Sequence, residues 1–119
     1  MNAQKSAYTK GFEAGLAGAS VDDTPYRGHT TGFHRGLFNQ WRRGCENGEM
    51  AATSLRTAIE KRDESDTLTG NGDNAHVKGD LTLAADLWNQ GATKLRQAAD
   101  DLKYHINLKN TLNQPDRHE

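Results

Sequence analysis

"LTLAADLWNQGATKLRQAADDLKYHINLKN", residues 81–110, keeps one period from end to end. Leu81, Ala84, Trp88, Gly91, Leu95, Ala98, Leu102 and His105 recur at alternating steps of three and four. That is a heptad-like helical seam, with no trace of the two-residue alternation of a strand. Asp80 stands immediately before it, where a short carboxylate side chain caps the free N–H groups of a first helical turn. The stretch predicts one long amphipathic helix and decides the class, all-α. The rest of the chain then has to supply helices that cover the seam.

Upstream, "ESDTLTGNGDNAHVKG" (64–79) gathers Gly70, Asn71, Gly72, Asp73 and Asn74, all turn formers, and is expected to be a flexible loop. Before it, Glu49 to Asp63 is expected as a helix with Ala51, Ala52, Leu55, Ala58 and Ile59 on its packing side. Its other side, "RTAIEKRDE", is charged. Trp88 beside Ala84 and Gly91 suggests a large knob against a small hole, and this seam is expected to pack on the helix at 49–63 within the chain. The shorter helix leaves Leu95 through Ile106 and Leu108 uncovered, a surface for a partner or for a homodimer. Still earlier, a helix from Thr30 or Thr31 to about Asn47 carries Phe33, Leu37, Trp41 and Cys45 at steps of four. Gly44, Asn47 and Gly48 are expected to end it. The first helix is expected from Ser6 to Gly18, and Pro25 keeps the connector after it out of helical geometry. The expected architecture is two consecutive helical hairpins of about four helices. Residues 1–48 form the first, 49–110 the second, and 111–119 a frayed tail.

The first helix contains three glycines, Gly11, Gly15 and Gly18, each costing about 0.8–1 kcal/mol relative to alanine in a helix interior. Glycines four apart let a second helix approach closely. The expectation is a notched hairpin in which aromatic side chains of the second helix fill the notch and dispersion offsets the propensity loss.

Composition bounds the rest. One domain, or two small hairpins, fits 119 residues. A mean hydropathy of −0.92 and the lack of a long apolar run exclude a membrane span, and the N-terminus has no apolar signal region. A single cysteine, Cys45, excludes an internal disulfide and suits a cytoplasmic setting. Residues 1–48 carry a net +2 and residues 49–119 a net −3. Neither half has the basic density of a protein held mainly by phosphate contacts.

"GFEAGLAGAS" with "PY" and "WRRGC" places Gly11, Phe12, Ala14, Gly15, Ala17, Gly18 and Ser20, then Pro25 and Tyr26, then Trp41 and Gly44 in order. This ordered set resembles the Rmf/CrpP fold family of ribosome modulation factor-like proteins, many of them from phages and prophages. The resemblance implies a short two-helix segment and binding to ribosomes. It makes Gly11, Phe12, Gly15, Gly18, Pro25, Tyr26, Trp41 and Gly44 structural positions. The chain departs from the family pattern in a longer spacer before Trp41, in Cys45 where the family has an aromatic, and in fewer basic residues. Residues 49–119 lie outside the resemblance.

No constellation reads as an active site or a metal or cofactor site. His29 and His34, five apart with Cys45 further on, do not share a helical face. "GNGDNAH" lacks the Lys-Ser/Thr ending of a phosphate loop and the closing glutamate of a calcium loop. Cys45 and His34 are three turns apart along a helix, too far to meet as nucleophile and base. "FNQWRRG", with Arg35, Phe38, Arg42 and Arg43, has two readings: a basic aromatic surface for RNA or an acidic protein, or a core Trp41 flanked by solubilising arginines. The sequence thus predicts a non-enzymatic binding protein without cofactors, acting in the host cytoplasm on a host protein or ribonucleoprotein complex, the ribosome first. The alternative is an inhibitor of a host defence or nucleic-acid-processing complex acting through protein contacts. Candidate partner-binding residues are Arg35, Phe38, Arg42, Arg43, Trp88, Leu95, Leu102 and Ile106.

Overall fold

The computed structural model describes residues 3–26 and 32–113, the side chains of 33 and 34 excepted. Among the described residues there are three α-helices and no strands: α1 (Ala3–Leu16), α2 (Gly32–Val77) and α3 (Leu81–Asn110), with short 3-10 turns at Val21–Asp23 and Thr111–Asn113. The all-α class is as expected, but the number of helices is not. Gly44, Asn47 and Gly48 do not end a helix, and residues 64–77 are not a loop; both stretches lie within α2.

The real turn is shorter and later. Gly79 has φ +82, the left-handed conformation that closes a helix cheaply only for glycine. The Asp80 N–H bonds the Ala75 carbonyl at 2.9 Å and the Gly79 N–H bonds that of His76 at 3.0 Å. Asp80 then caps α3, its Oδ1 accepting from the Leu83 N–H at 3.1 Å. Gly18, φ +94, ends α1 in the same way, with the Ala19 N–H on the Ala14 carbonyl at 2.9 Å.

The chain forms two compact units. The first contains Met1–Thr53 and Tyr104–Glu119. A Cβ built on Gly11 would strike the Trp41 carbonyl, and one on Gly15 the Cys45 carbonyl. Reciprocally, Gly44 faces the Tyr8 carbonyl and Gly48 that of Phe12. Higher numbers on α1 meet higher numbers on α2, so the two helices run in the same direction. This corrects the expected hairpin. The notch receives main chain rather than aromatic rings, with Cα–H groups of one helix set against carbonyls of the other. Trp41 instead joins Ala7, Leu37 and Cys45 in a buried cluster, against which Ala14, Val21 and Tyr26 pack. Phe12 is fully buried. Ser20 and Asp23 brace the connector, the Asp23 carboxylate accepting from the Ser20 N–H at 2.8 Å. Pro25 is exposed.

The end of α3 is fastened into this unit. Asn47 Nδ2 donates to the Tyr8 hydroxyl at 2.8 Å and Thr111 Oγ1 donates to the Leu108 carbonyl at 2.6 Å. The Tyr8 hydroxyl therefore donates to Thr111 Oγ1, at 2.6 Å. Thr111, expected in a frayed tail, is held; residues 114–119 lie outside the described residues.

The second unit, Ser54–Lys103, is a pair of antiparallel helical segments. Its seam is built from small residues at intervals of seven. Ala58, Ser65 and Gly72 of α2 are buried, as are Ala84, Gly91 and Ala98 of α3. The Ser65 hydroxyl donates to the Gly91 carbonyl at 2.7 Å, which sets the register. The large members of the expected α3 seam, Leu81, Trp88, Leu95 and Leu102, are all exposed by 40% or more. Half of the expected seam is core and half is surface. In the first unit, Ala51 and His105 occupy the same heptad positions, with His105 Nδ1 on the Ala51 carbonyl. Helix α2 continues through this run because its seam needs Gly72 and Ala75 in helical register. Gly72 lies beneath the Trp88 indole, Ala75 is buried, and Asp73 accepts a hydrogen bond from Trp88 Nε1 at 3.0 Å. Tertiary packing overrides local propensity over this run.

Candidate functional site

Within the second unit, α2 and α3 bury small residues against each other and leave Leu55, Ile59, Leu95 and Leu102 outside on one flank. Leu55 lies three residues before Ala58, and Leu95 three before Ala98, so both project to the same side of the seam. Ile59 and Arg62 on α2, with Ala99 and Leu102 on α3, complete an open groove of about 340 Å³ whose floor is Ala58 and Ala98. Leu55, Ile59, Leu95 and Leu102 are 36%, 47%, 53% and 42% exposed. Four large aliphatic side chains sharing one groove form a contiguous apolar patch rather than scattered surface leucines.

The other flank of the seam is different. There Lys61 pairs with Asp101 at 2.8 Å and Lys94 with Glu64 at 3.1 Å. These side chains are partly exposed, so the pairs add little to stability, but they seal that flank with neutralised charge.

Of the expected partner residues, the structure brings Leu95 and Leu102 together in the groove. Trp88 is not part of it. Its indole clasps α2, bonded to Asp73 and set against the His76 ring at a centroid distance of 5.7 Å. The packing expected for Trp88 on the helix at 49–63 is therefore replaced by Trp88 over Gly72, further along α2. Ile106 is exposed but belongs to the other unit. Leu55 and Ile59, expected on the packing side of their helix, are exposed groove residues, and Arg62, expected on its charged side, lines the groove with them. The signal that separates them is the seven-residue interval of small residues, which places the seam on Ala51, Ala58, Ser65 and Gly72 and pushes Leu55 and Ile59 to one side.

In the first unit, Arg35, Arg42 and Arg43 are exposed, Phe38 is half-buried, and Trp41 is only 4% exposed. The arginine stretch therefore presents charge without its tryptophan. His29 lies outside the described residues, as does the side chain of His34. Cys45 is a buried free thiol whose Sγ approaches the Ala19 carbonyl at 3.5 Å. Burial raises its pKa above the ordinary 9.0, and the carboxylates of Glu49, Asp23 and Glu46 add to the shift. It stays a thiol, unsuited to nucleophilic attack. Among the described residues no three His, Cys, Asp or Glu side chains stand together as metal ligands. None of the described helices is long and apolar enough to cross a membrane. No family model, curated protein or solved structure matches the chain.

Proposed function

We propose that this chain is a non-enzymatic helical binding protein that docks through the groove of its second unit onto a protein component of a host macromolecular assembly and modulates it. The observation that carries this reading is the groove itself, four half-exposed aliphatic side chains on a flank that the described residues of the second unit leave uncovered. An apolar groove between two helices suits a protein surface or helix and does not suit a phosphate backbone. The resemblance of residues 11–44 to the Rmf/CrpP fold family supports a phage or prophage origin and makes the ribosome the first assembly to test. A defence or nucleic-acid-processing complex is the next.

A second reading draws on the exposure of Arg42 and Arg43, which suits contact with ribosomal RNA through phosphates. The two readings separate in one experiment. Tagged wild-type chain, Leu95→Asp and Arg42→Glu/Arg43→Glu are used to capture host complexes at low and moderate salt. Under the proposed reading, capture survives moderate salt and the arginine change but is lost with Leu95→Asp. Capture that washes off with salt and needs the arginines, but not Leu95, moves the function to RNA.

A further inference from the structure

The order of the charges that border the groove says what fits it. On α3, Arg96, Asp100 and Lys103 follow the outer edge beside Ala99, which lines the groove. On α2, Arg56, Glu60 and Asp63 follow the outer edge beside Ile59. All six are exposed. Arg62 lines the groove itself, and Asp66 lies one turn beyond it. Arg62 has a 3.4 Å contact with Asp63, Arg96 donates to the Thr93 hydroxyl at 3.2 Å, and Arg56 has an interaction within the chain. Glu64 and Asp101 are on the opposite flank, held by Lys94 and Lys61. The border therefore carries four cations and four acids and selects no partner by net sign.

Its order is selective. Each helix presents an arginine and, one turn later, an acid: Arg56 then Glu60, and Arg96 then Asp100. The helices are antiparallel, so the two repeats run in opposite directions. Ser65 lies level with Gly91, whose carbonyl accepts its hydroxyl, and Gly72 lies level with Ala84. Equal steps outward from Ser65 and Gly91 put Glu60 level with Arg96, and Arg56 level with Asp100. A two-fold axis along the groove turns one copy onto another without changing any level, and lays each α3 on the other copy's α2. Arg96 then meets Glu60 of the second copy, and Asp100 meets its Arg56. Symmetry repeats both pairs, with Leu55, Ile59, Leu95 and Leu102 of both copies between them. Lys103 and Asp63 come level with Thr53 and Thr93, so no two border charges of one sign are set together. The register has no free parameter, since the intrachain seam already fixes it. From this we infer that the groove is self-complementary and that a second copy of the chain covers it in the free protein. The pairing rests on the groove alone. That docking on a host requires the pair to part rests on the proposed function.

The test is sedimentation of the full chain across about 1–200 μM, with circular dichroism to show that each variant is folded. A contact limited to one groove is at the small end of stable interfaces, so a dimer with a dissociation constant on the order of 10 μM is expected. Leu95→Asp is expected to weaken it at least about tenfold. Arg96→Glu and Glu60→Arg are each expected to weaken it by about fivefold, and Arg96→Glu/Glu60→Arg to return it to within about twofold of wild type. Within one chain Arg96 and Glu60 stand on opposite edges of the groove, so such a rescue has to act between copies. A monomer throughout, or a dimer indifferent to these changes, would overturn the inference, and loss of host capture in Leu95→Asp would still leave the proposed function standing. Rescue of Arg96→Glu by Asp100→Arg instead of Glu60→Arg would overturn the pairing of α3 with α2. A dimer that behaves as expected, together with capture unchanged in Leu95→Asp, would support this inference and overturn the proposed function.

Discussion

A methyl group added at Gly11 would land on the Trp41 carbonyl, and the contact is with main chain, which cannot swing aside. Gly11→Ala is therefore expected to destabilise the chain by about 2 kcal/mol or more, even though alanine is the better helix former. Gly70 is the control: a Cβ there meets nothing within 4 Å, so Gly70→Ala is expected to add up to about 1 kcal/mol. Urea midpoints followed by circular dichroism test both, and equal responses would remove the backbone contact as the reason for the glycine. Cys45 makes a second prediction. Its raised pKa means that the folded chain holds the proton more tightly than the unfolded one. That contribution is complete below 9.0 and disappears as pH rises beyond it, through the raised folded value. Unfolding free energy should fall on the alkaline side of 9.0 more steeply in wild type than in Cys45→Ala, and a thiol reagent should label native Cys45 only on opening. Spacing made the glycine notch visible in advance. It did not reveal the occupant or the direction of the partner helix, because two glycines four apart look the same from either end.

Between Ser54 and Lys103, the elements are decided by which residues touch rather than by what each prefers alone. Gly70 to Asn74 would exchange amide protons within seconds as a loop. As part of α2, they are expected to be protected to the same degree as residues 55–65, which hydrogen exchange read by mass spectrometry can check. The size of the seam residues matters as much as their polarity. Ala98→Leu is expected to cost about 1–3 kcal/mol by forcing α2 and α3 apart. Leu95→Gln, at a site 53% exposed, should stay within about 0.5 kcal/mol of wild type. A reversed order of these two effects in thermal melts would place the seam wrongly. The periodic run of α3 was plain in the sequence, and so was Asp80 as its cap. Which half of its seam would be covered was not, since Leu95 and Ala98 satisfy the same helical period. The distinction depends on α2, whose matching Ala58, Ser65 and Gly72 sit among turn formers that suggested no helix. In the sequence, the surface position of Leu95 and Leu102 follows only from a short preceding helix, which α2 is not, and Leu55 and Ile59 are expected on the packing side of that helix.

At the scale of the molecule, the first unit is assembled from segments far apart in sequence. Tyr8 meets Asn47 and Thr111 through one hydroxyl. Tyr8→Phe and Thr111→Val are each expected to cost about 0.5–1.5 kcal/mol, and the double variant less than the two together, because one relay is broken in either case. Full additivity in the double-mutant cycle would mean that the relay is not a unit. No local pattern announces such a contact, since a tyrosine and a threonine carry no mark of each other across 103 positions. The same relay bears on how the chain comes to be folded. The α2–α3 turn at 78–80 brings near neighbours together and can zip as soon as both sides exist, whereas α1 is not sealed until Thr111 arrives. During synthesis, the glycine faces of α1 and α2 can meet early, but the Tyr8 hydroxyl has only water to donate to until a residue 103 positions later has emerged. The nascent chain therefore passes through a stage in which one unit is half-closed and waiting, and it is during that interval that chaperones and proteases have access to it.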